Sequence, residues 1–195
     1  MEGKDMRKTQ LIIIISVICG ILLAGMYYMN TANKLTKMRN LAKRYESDVQ
    51  TELQTRFEKV PNLVEIVMAS AQQEKDIIAS VTEARKYYNN AFSIGDTAKM
   101  LEADAMFKTA ITRFEEKYPD IASMDMFKGL MDEYSGLEQA VNIARRNYNE
   151  VVMQYNNMVE ELPTSIIANS RGFERIPEFK ASEEANKPVE IHMTN

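Results

Sequence analysis

The chain begins with an apolar segment and continues as a polar region in which apolar side chains recur every three or four residues. The apolar segment covers residues 11–29 and carries no formally charged side chain. As a helix it would be about 28 Å long, close to the thickness of about 30 Å of a bilayer's hydrocarbon core. The sequence therefore predicts a transmembrane anchor from Leu11 to Met29 with the lipid bilayer as its partner, after a short basic tail over residues 1–10.

A cleaved signal peptide is the alternative for this segment, because basic residues precede it. The apolar run is longer than the usual stretch of about 7 to 15 residues, and it ends in bulky Tyr27 and Tyr28 instead of a small-residue cleavage site. We therefore expect a retained, single-pass anchor in the cell membrane. Basic side chains lie on both sides of the segment, so the positive-inside rule leaves the side of the soluble domain open.

Four stretches of the polar region have the apolar spacing of a helix with one buried face. They cover residues 35–60, 63–92, 97–114 and 127–162. Pro61 is predicted to end the first helix near Val60, because proline has no amide hydrogen and clashes with the preceding turn. Gly95 and Pro119 lie at the other two predicted breaks.

Long helices with one apolar face and short connections pack antiparallel around a common core. We therefore expect an all-α fold with an N-terminal transmembrane helix followed by an antiparallel four-helix bundle of long helices. The fourth stretch has the spacing typical of coiled-coil packing. The bundle and a packed C-terminal segment would form one domain over residues 30–179. Residues 180–195 are charged and weakly apolar, and we expect them to be disordered.

Composition argues against several functional classes. The 28 acidic and 24 basic side chains are interleaved, and the formal net charge of −4 leaves no basic face for nucleic acid. The only histidine is His192 and the only cysteine is Cys19, so histidine-based catalysis and metal sites lack ligands. We expect no catalytic activity, no cofactor and no metal. A hydrolase using paired carboxylates, Glu115-Glu116 or Glu160-Glu161, is a weaker alternative, because adjacent helical side chains point apart.

Two charged residues lie on or beside the apolar face of the second stretch. Glu74 and Arg85 would be costly there unless each has a partner of opposite charge. Arg145 or Arg146 is the expected partner of Glu74, and Glu138 that of Arg85, which would fix the register of the bundle. The alternative is that both side chains extend to solvent from the edge of the face.

Two Tyr-Asn pairs, Tyr148-Asn149 and Tyr155-Asn156, are seven residues apart in the fourth stretch. This spacing puts both pairs on nearly the same helix face, two turns apart. They would form a polar recognition strip, or the tyrosines would fill the core while the asparagines flank them.

The residues around Pro61, Asn62, Leu63 and Val64 resemble a signature of the LemA family of membrane proteins. A second resemblance runs from Ala144 to Asn156 and continues through Pro163, Gly172-Phe173 and Pro177-Glu178-Phe179. Together the two blocks extend the resemblance over about residues 27–180. It implies a single-pass membrane protein with a helical-bundle domain and no established biochemical activity.

The leading hypothesis for function is a membrane-anchored scaffold or interaction protein with a protein partner, a homo-oligomer being compatible with it. We expect its recognition surface at Pro61 to Val64 and at residues 166–179, including Phe173 and Phe179, because both regions interrupt regular helix and expose apolar groups. A sensor or signalling accessory of the cell envelope is the alternative. It would need a concave site lined by Glu74, Arg85 and Arg145.

Overall fold

The computed structural model describes residues 2–71, 75–119 and 125–180, with backbone only for residues 2–9, 68–71 and 75–76. Within these ranges the chain is all-α, as predicted. The helices are α1 (Glu2–Ala71), α2 (Lys75–Ser93), α3 (Thr97–Lys117), α4 (Asp125–Glu160) and α5 (Thr164–Ser170). An extended segment over residues 173–180 follows α5. The chain divides into two compact units.

The first unit takes its described residues from Met1–Ala42 and Val151–Pro177. It contains the start of α1, the end of α4, α5 and part of the extended segment. Its core consists of Leu35, Tyr155, Val159, Ala168 and Phe173. Before this core, residues 10–30 of α1 are exposed, including all the apolar side chains of residues 11–29. This helix contains a segment long and apolar enough to cross a membrane.

The second unit takes its described residues from Lys43–Glu150 and Glu178–Asn195. Four helices pack in it, namely the later part of α1, α2, α3 and most of α4. Contacts between α3 and α4 pair Phe107 with Tyr134 and Phe114 with Phe127. As the residue number rises on α3 it falls on α4, so these two helices run antiparallel. The second unit is thus a helical bundle with aromatic rings along its interior.

The predicted helix break at Pro61 is wrong. Helix α1 continues through Pro61 to Ala71. Proline removes the hydrogen bond that its amide would donate to the carbonyl of Phe57. However, Phe57, Val60, Val64 and Val67 are all buried on one face, and the Phe57 ring stacks on Tyr88 with centroids 4.1 Å apart. This packing on both sides of Pro61 outweighs one missing hydrogen bond, and the second apolar stretch is consequently divided between α1 and α2.

The predicted turn between α2 and α3 is confirmed. Helix α2 ends at Ser93, and α3 begins at Thr97 with the Asp96 carboxylate accepting a hydrogen bond from the Lys99 amide. Gly95 has φ +68°, a left-handed conformation that residues with a Cβ adopt at a cost.

The apolar spacing of the fourth stretch correctly predicts the buried face of α4 from Phe127 to Tyr155. It fails at Leu162, which is 78% exposed. The reason is that α4 ends at Glu160, so the helical spacing no longer determines the direction of Leu162. Ile78 and Phe92 on α2 are also exposed, contrary to the prediction. Glu74, His192 and the predicted disorder of residues 181–195 lie outside the described residues.

Candidate functional site

In the first unit, the side chain of Asn156 binds the backbone of the extended segment. Its Nδ2 donates to the carbonyl of Ile176 at 2.9 Å, and its Oδ1 accepts from the Ile176 amide at 2.9 Å. The neighbouring Tyr155 hydroxyl donates to the carbonyl of Glu174 at 2.9 Å. Asn156 is only 3% exposed, so these hydrogen bonds satisfy polar groups that water does not reach. We call this arrangement of Tyr155 and Asn156 the first clamp.

In the second unit, Asn149 makes the same pair of bonds to Phe179. Its Nδ2 donates to the Phe179 carbonyl at 2.8 Å, and its Oδ1 accepts from the Phe179 amide at 2.9 Å. The ring of Tyr148 stacks on the ring of Phe179 with centroids 4.4 Å apart, and Arg145 donates to the carbonyl of Lys180. Burial raises the pKa of Tyr148 to about 12. We call Tyr148 and Asn149 the second clamp.

Each clamp recognises backbone groups, which an extended chain cannot satisfy by itself. A primary amide presents one acceptor and two donors, so it can bind the N–H and the C=O of one extended residue together. The tyrosine rings are buried, as the packing alternative predicted, while the asparagines bind the chain's own C-terminal segment. A role of these pairs in recognising another molecule stays a prediction.

The interior of the second unit contains a buried ion pair that the sequence pattern did not identify. Arg56 is 1% exposed, and its Nη1 lies 2.8 Å from Oδ1 of Asp104 and donates to Oδ2 at 3.0 Å. The guanidinium carbon is 4.3 Å from the centroid of the Tyr134 ring, within range of a cation–π interaction. Nε and Nη2 of Arg56 have no hydrogen-bond partner among the described residues. The charge of Arg56 is thus balanced by one carboxylate and one ring.

Burial dominates the titration of the groups around Arg56. It raises the pKa of the Asp104 carboxyl, and the positive charge of Arg56 opposes this rise without cancelling it. Burial also raises the pKa of the Tyr134 hydroxyl, and it raises the pKa of Tyr88 to about 12. Both tyrosines therefore stay neutral at physiological pH.

The predicted pairing of Arg85 with Glu138 is wrong. Arg85 is exposed, as the alternative expected, and Glu138 instead accepts a hydrogen bond from Lys108 Nζ at 2.9 Å. Lys108 is the nearer cation because α3 packs against α4. The predicted pairing of Arg145 or Arg146 with Glu74 lies outside the described residues, because the structure does not describe Glu74.

The predicted recognition surface at Pro61 to Val64 is only partly accessible. Pro61 and Val64 are buried, Leu63 is half-buried and Asn62 is exposed. This region does not interrupt the helix, contrary to the expectation. Pro61, Val64 and Arg85 line a small cavity of about 70 Å³ with Glu65, Ile78, Val81 and Thr82.

Phe173 does not expose its ring, contrary to the prediction for residues 166–179. It is 7% exposed, and the guanidinium of Arg39 lies 5.2 Å from its ring centroid. Phe179 is half-buried on Tyr148. The exposed apolar side chain in this region is Ile166, at 65%.

A shallow groove lies between α1 and α4 in the second unit. It has a volume of about 380 Å³ and is lined by Tyr45, Asp48, Thr51, Glu52, Ala140, Ile143, Ala144 and Asn147. Ile143 is 40% exposed at this groove. The lining combines carboxylates, an amide and apolar groups, which suits binding of a polar ligand or a partner helix.

The paired carboxylates considered for a hydrolase lie on the surface. Glu115 and Glu116 are both exposed on α3. Glu160 instead accepts a hydrogen bond from Arg175 at 2.6 Å. Among the described residues, no group of three or more His, Cys, Asp or Glu side chains could hold a metal ion.

An exposed apolar segment at the start of a helix that continues into a helical bundle defines a membrane-associated helical protein. The profile of the LemA family matches residues 45–193. The chain belongs to the LemA family, as the resemblance of its sequence predicted.

Three relatives carry magnetosome names. Magnetosome protein MamQ 2 and Magnetosome protein MamQ 1 of Paramagnetospirillum magneticum are each 29% identical over 99 residues, which covers 49% of this chain and 36% of theirs. Magnetosome protein MamQ of Magnetospirillum gryphiswaldense is 23% identical over 183 residues, which covers 80% of this chain and 67% of that protein. The chain thus spans about a third of the length of the first two relatives.

Proposed function

We propose that the chain is a single-pass protein of the cell membrane whose helical bundle serves as a scaffold or interaction module and catalyses no reaction itself. The observation that carries this proposal is the exposure of every apolar side chain over residues 11–29, in a helix that goes on to form part of a packed core. An apolar surface of this length is stable in lipid and unstable in water.

The buried polar groups of the bundle support a structural role. The perturbed carboxyl, Asp104, is bound to Arg56 inside the second unit, and the asparagines of the two clamps bind backbone. These groups hold the fold, whereas a catalytic acid or base must reach a substrate.

A protein partner would bind on the second unit at the groove lined by Ile143 and Asn147. The groove is concave, partly apolar and bordered by the carboxylates of Asp48 and Glu52, which suits a partner helix with an apolar face and basic flanks. We do not expect a nucleic-acid partner, because the net charge is −4. A second copy of the chain is a further partner compatible with the proposal.

Photo-crosslinking tests this function in native membranes. A photoreactive residue is placed at Ile143 in the groove, and a matched one at Ile94, which is exposed in the turn before α3. We expect a discrete crosslinked protein from position 143 that Asp48→Lys abolishes, and none from position 94. The chain should also stay in the membrane fraction after an alkaline carbonate wash.

Two results would contradict the proposal. Release of the chain by the carbonate wash would contradict the proposed membrane anchor. Equal, diffuse crosslinking from both positions would contradict the proposed interaction surface, provided that circular dichroism shows the same helix content in both variants.

A sensor of the cell envelope is the second candidate, because the groove volume of about 380 Å³ lies within the range of small-molecule sites. A small ligand that binds the folded state raises the thermal midpoint of unfolding as its concentration rises. A metabolite screen with the purified chain in detergent separates this candidate from the scaffold. A midpoint shift that Asn147→Ala removes would favour the sensor.

A further inference from the structure

Two large apolar side chains of the first unit lie in water-accessible positions on either side of Pro163. Leu162 is 78% exposed and Ile166 is 65% exposed, whereas the adjacent Ile167 and Ala168 are buried. Isolated exposed apolar side chains are common on protein surfaces. These two are notable because of what lies beside them.

Helix α5 contacts the end of the exposed apolar segment. The hydroxyl oxygens of Ser170 and Tyr28 are 3.4 Å apart, and Tyr28 is the next-to-last residue of the predicted span. Ile166 precedes Ser170 by four residues in α5, so both side chains lie on the same face of this helix. The face that carries Ile166 is therefore the face that contacts the tyrosine at the end of the span.

The burial pattern of α1 leads to the same location. Residues 10–30 are exposed, and burial begins abruptly with Thr31 at 7% and Ala32 at 3%. One turn later, Leu35 packs with Val159 near the end of α4 and with Ala168 in α5. The end of α4, Leu162 and α5 are therefore the part of the first unit closest to the point where the exposed apolar surface of α1 ends.

We propose that Leu162 and Ile166 insert into the headgroup and acyl-chain boundary of the membrane that residues 11–29 cross. This inference rests on the proposed transmembrane anchor and adds a second lipid contact, from the C-terminal part of the chain. Tyrosine is enriched at this boundary, so the Tyr28–Ser170 contact sets the depth of α5.

The charges near α5 indicate that the contact is apolar. Glu161, beside Leu162, is exposed and would be repelled by anionic headgroups, while Arg171 at the other end of α5 would be attracted to them. These opposite effects leave Leu162 and Ile166 as the source of affinity. We expect the contact to form on neutral phosphatidylcholine and to depend little on anionic lipid.

The chain has no tryptophan, so one introduced residue gives a clean fluorescence signal. The full chain is reconstituted into vesicles of phosphatidylcholine with brominated acyl chains, which quench tryptophan only at contact distance. We expect Leu162→Trp and Ile166→Trp each to lose most of their fluorescence relative to vesicles without bromine. Met26→Trp, in the span, is the positive control, and Ile94→Trp, with a similar exposure of 67%, is the negative control.

The possible quenching results separate the second lipid contact from the transmembrane anchor. Quenching of Met26→Trp without quenching at positions 162 and 166 would overturn the second lipid contact and leave the anchor intact. A blue-shifted but unquenched signal at position 162 would overturn it in favour of a second copy of the chain. Absence of quenching at position 26 would overturn the anchor, and with it the proposed function. Leu162→Trp and Ile166→Trp both replace exposed side chains, so the helix content of each variant should match that of the unmodified chain.

Discussion

The first unit completes its core with an extended segment, whereas the second surrounds its core with helices. A helix satisfies its own backbone groups, but an extended segment needs partners from elsewhere. Asn156 supplies them in the first unit, with a pair of hydrogen bonds to Ile176. The second unit uses one such pair of bonds, from Asn149 to Phe179, but its core lies among helices and buries the charged Arg56. Polar groups inside this protein therefore either replace missing backbone partners or form a pair that must stay intact.

The largest effect should come from breaking the buried pair in the second unit. Arg56→Met removes the cation and leaves the Asp104 carboxyl buried without its partner. Loss of one member of a buried ion pair destabilises a protein by about 3–5 kcal/mol. We expect a loss of this size in urea unfolding of the full chain in detergent, followed by circular dichroism.

The double variant Arg56→Met with Asp104→Leu is the matched control. It removes both charges, and replacing a buried pair by apolar residues is often neutral or stabilising. We expect it to recover most of the stability that Arg56→Met loses. If the double variant were as unstable as the single one, packing of the Arg56 side chain, and not its charge, would be the main contribution.

A smaller effect should follow from changing the clamps. Asn156→Ala leaves the partly buried N–H and C=O of Ile176 without their partner, which costs about 1–3 kcal/mol. Asn149→Ala should cost less, because Asn149 is only half-buried and water can replace it. Asn157→Ala, at the exposed neighbouring position, is the control and should change little.

Hydrogen exchange measures the two clamps separately. The amide of Ile176 should exchange faster in Asn156→Ala, and the amide of Phe179 should exchange faster in Asn149→Ala. If neither amide exchanged faster, packing of side chains would be what holds the extended segment. The first unit would then need no backbone partner from Asn156.

The buried face of each helix could be predicted from the sequence because apolar spacing reports it directly. Val49, Leu53 and Phe57 on α1 are buried as the spacing predicts. The prediction failed at Pro61 because a single missing hydrogen bond is a local signal, and the aromatic packing that outweighs it joins residues distant in sequence. The prediction that Leu162 is buried failed because the apolar spacing continues past the end of α4.

The candidate sites were harder to predict. Arg56 stands beside Phe57 on the apolar stripe, which is a signal for a buried cation, but its partner Asp104 is 48 residues away and only packing of α1 against α3 reveals it. The Tyr-Asn pairs were visible as a repeat of seven residues. The segment that they bind could not be predicted, because the clamps bind backbone groups that every residue of the C-terminal segment shares.

The smallest expected effect is a dependence of stability on pH through Asp104. Burial raises its pKa in the folded state above the ordinary 3.8, so between the two values the folded state holds more protons than the unfolded state. The free energy of unfolding should therefore fall as pH rises through this range. Because Arg56 opposes the effect of burial, the fall should be modest.

Asp104→Asn should lack this fall, and the difference between its unfolding profile and that of the unmodified chain isolates the contribution of the carboxyl. A free energy of unfolding that rises with pH, relative to Asp104→Asn, would mean that Arg56 outweighs burial. The second unit would then hold its ion pair as a net source of stability.

The exposed surface of α1 also contains the single thiol of the chain, at Cys19. Oxidation can therefore join two copies only through this position. In a bilayer such a covalent dimer would form where two spans meet with their Cys19 faces together. The yield of that species, measured on a non-reducing gel at increasing dilution in lipid, would report self-association of the anchor independently of either folded unit.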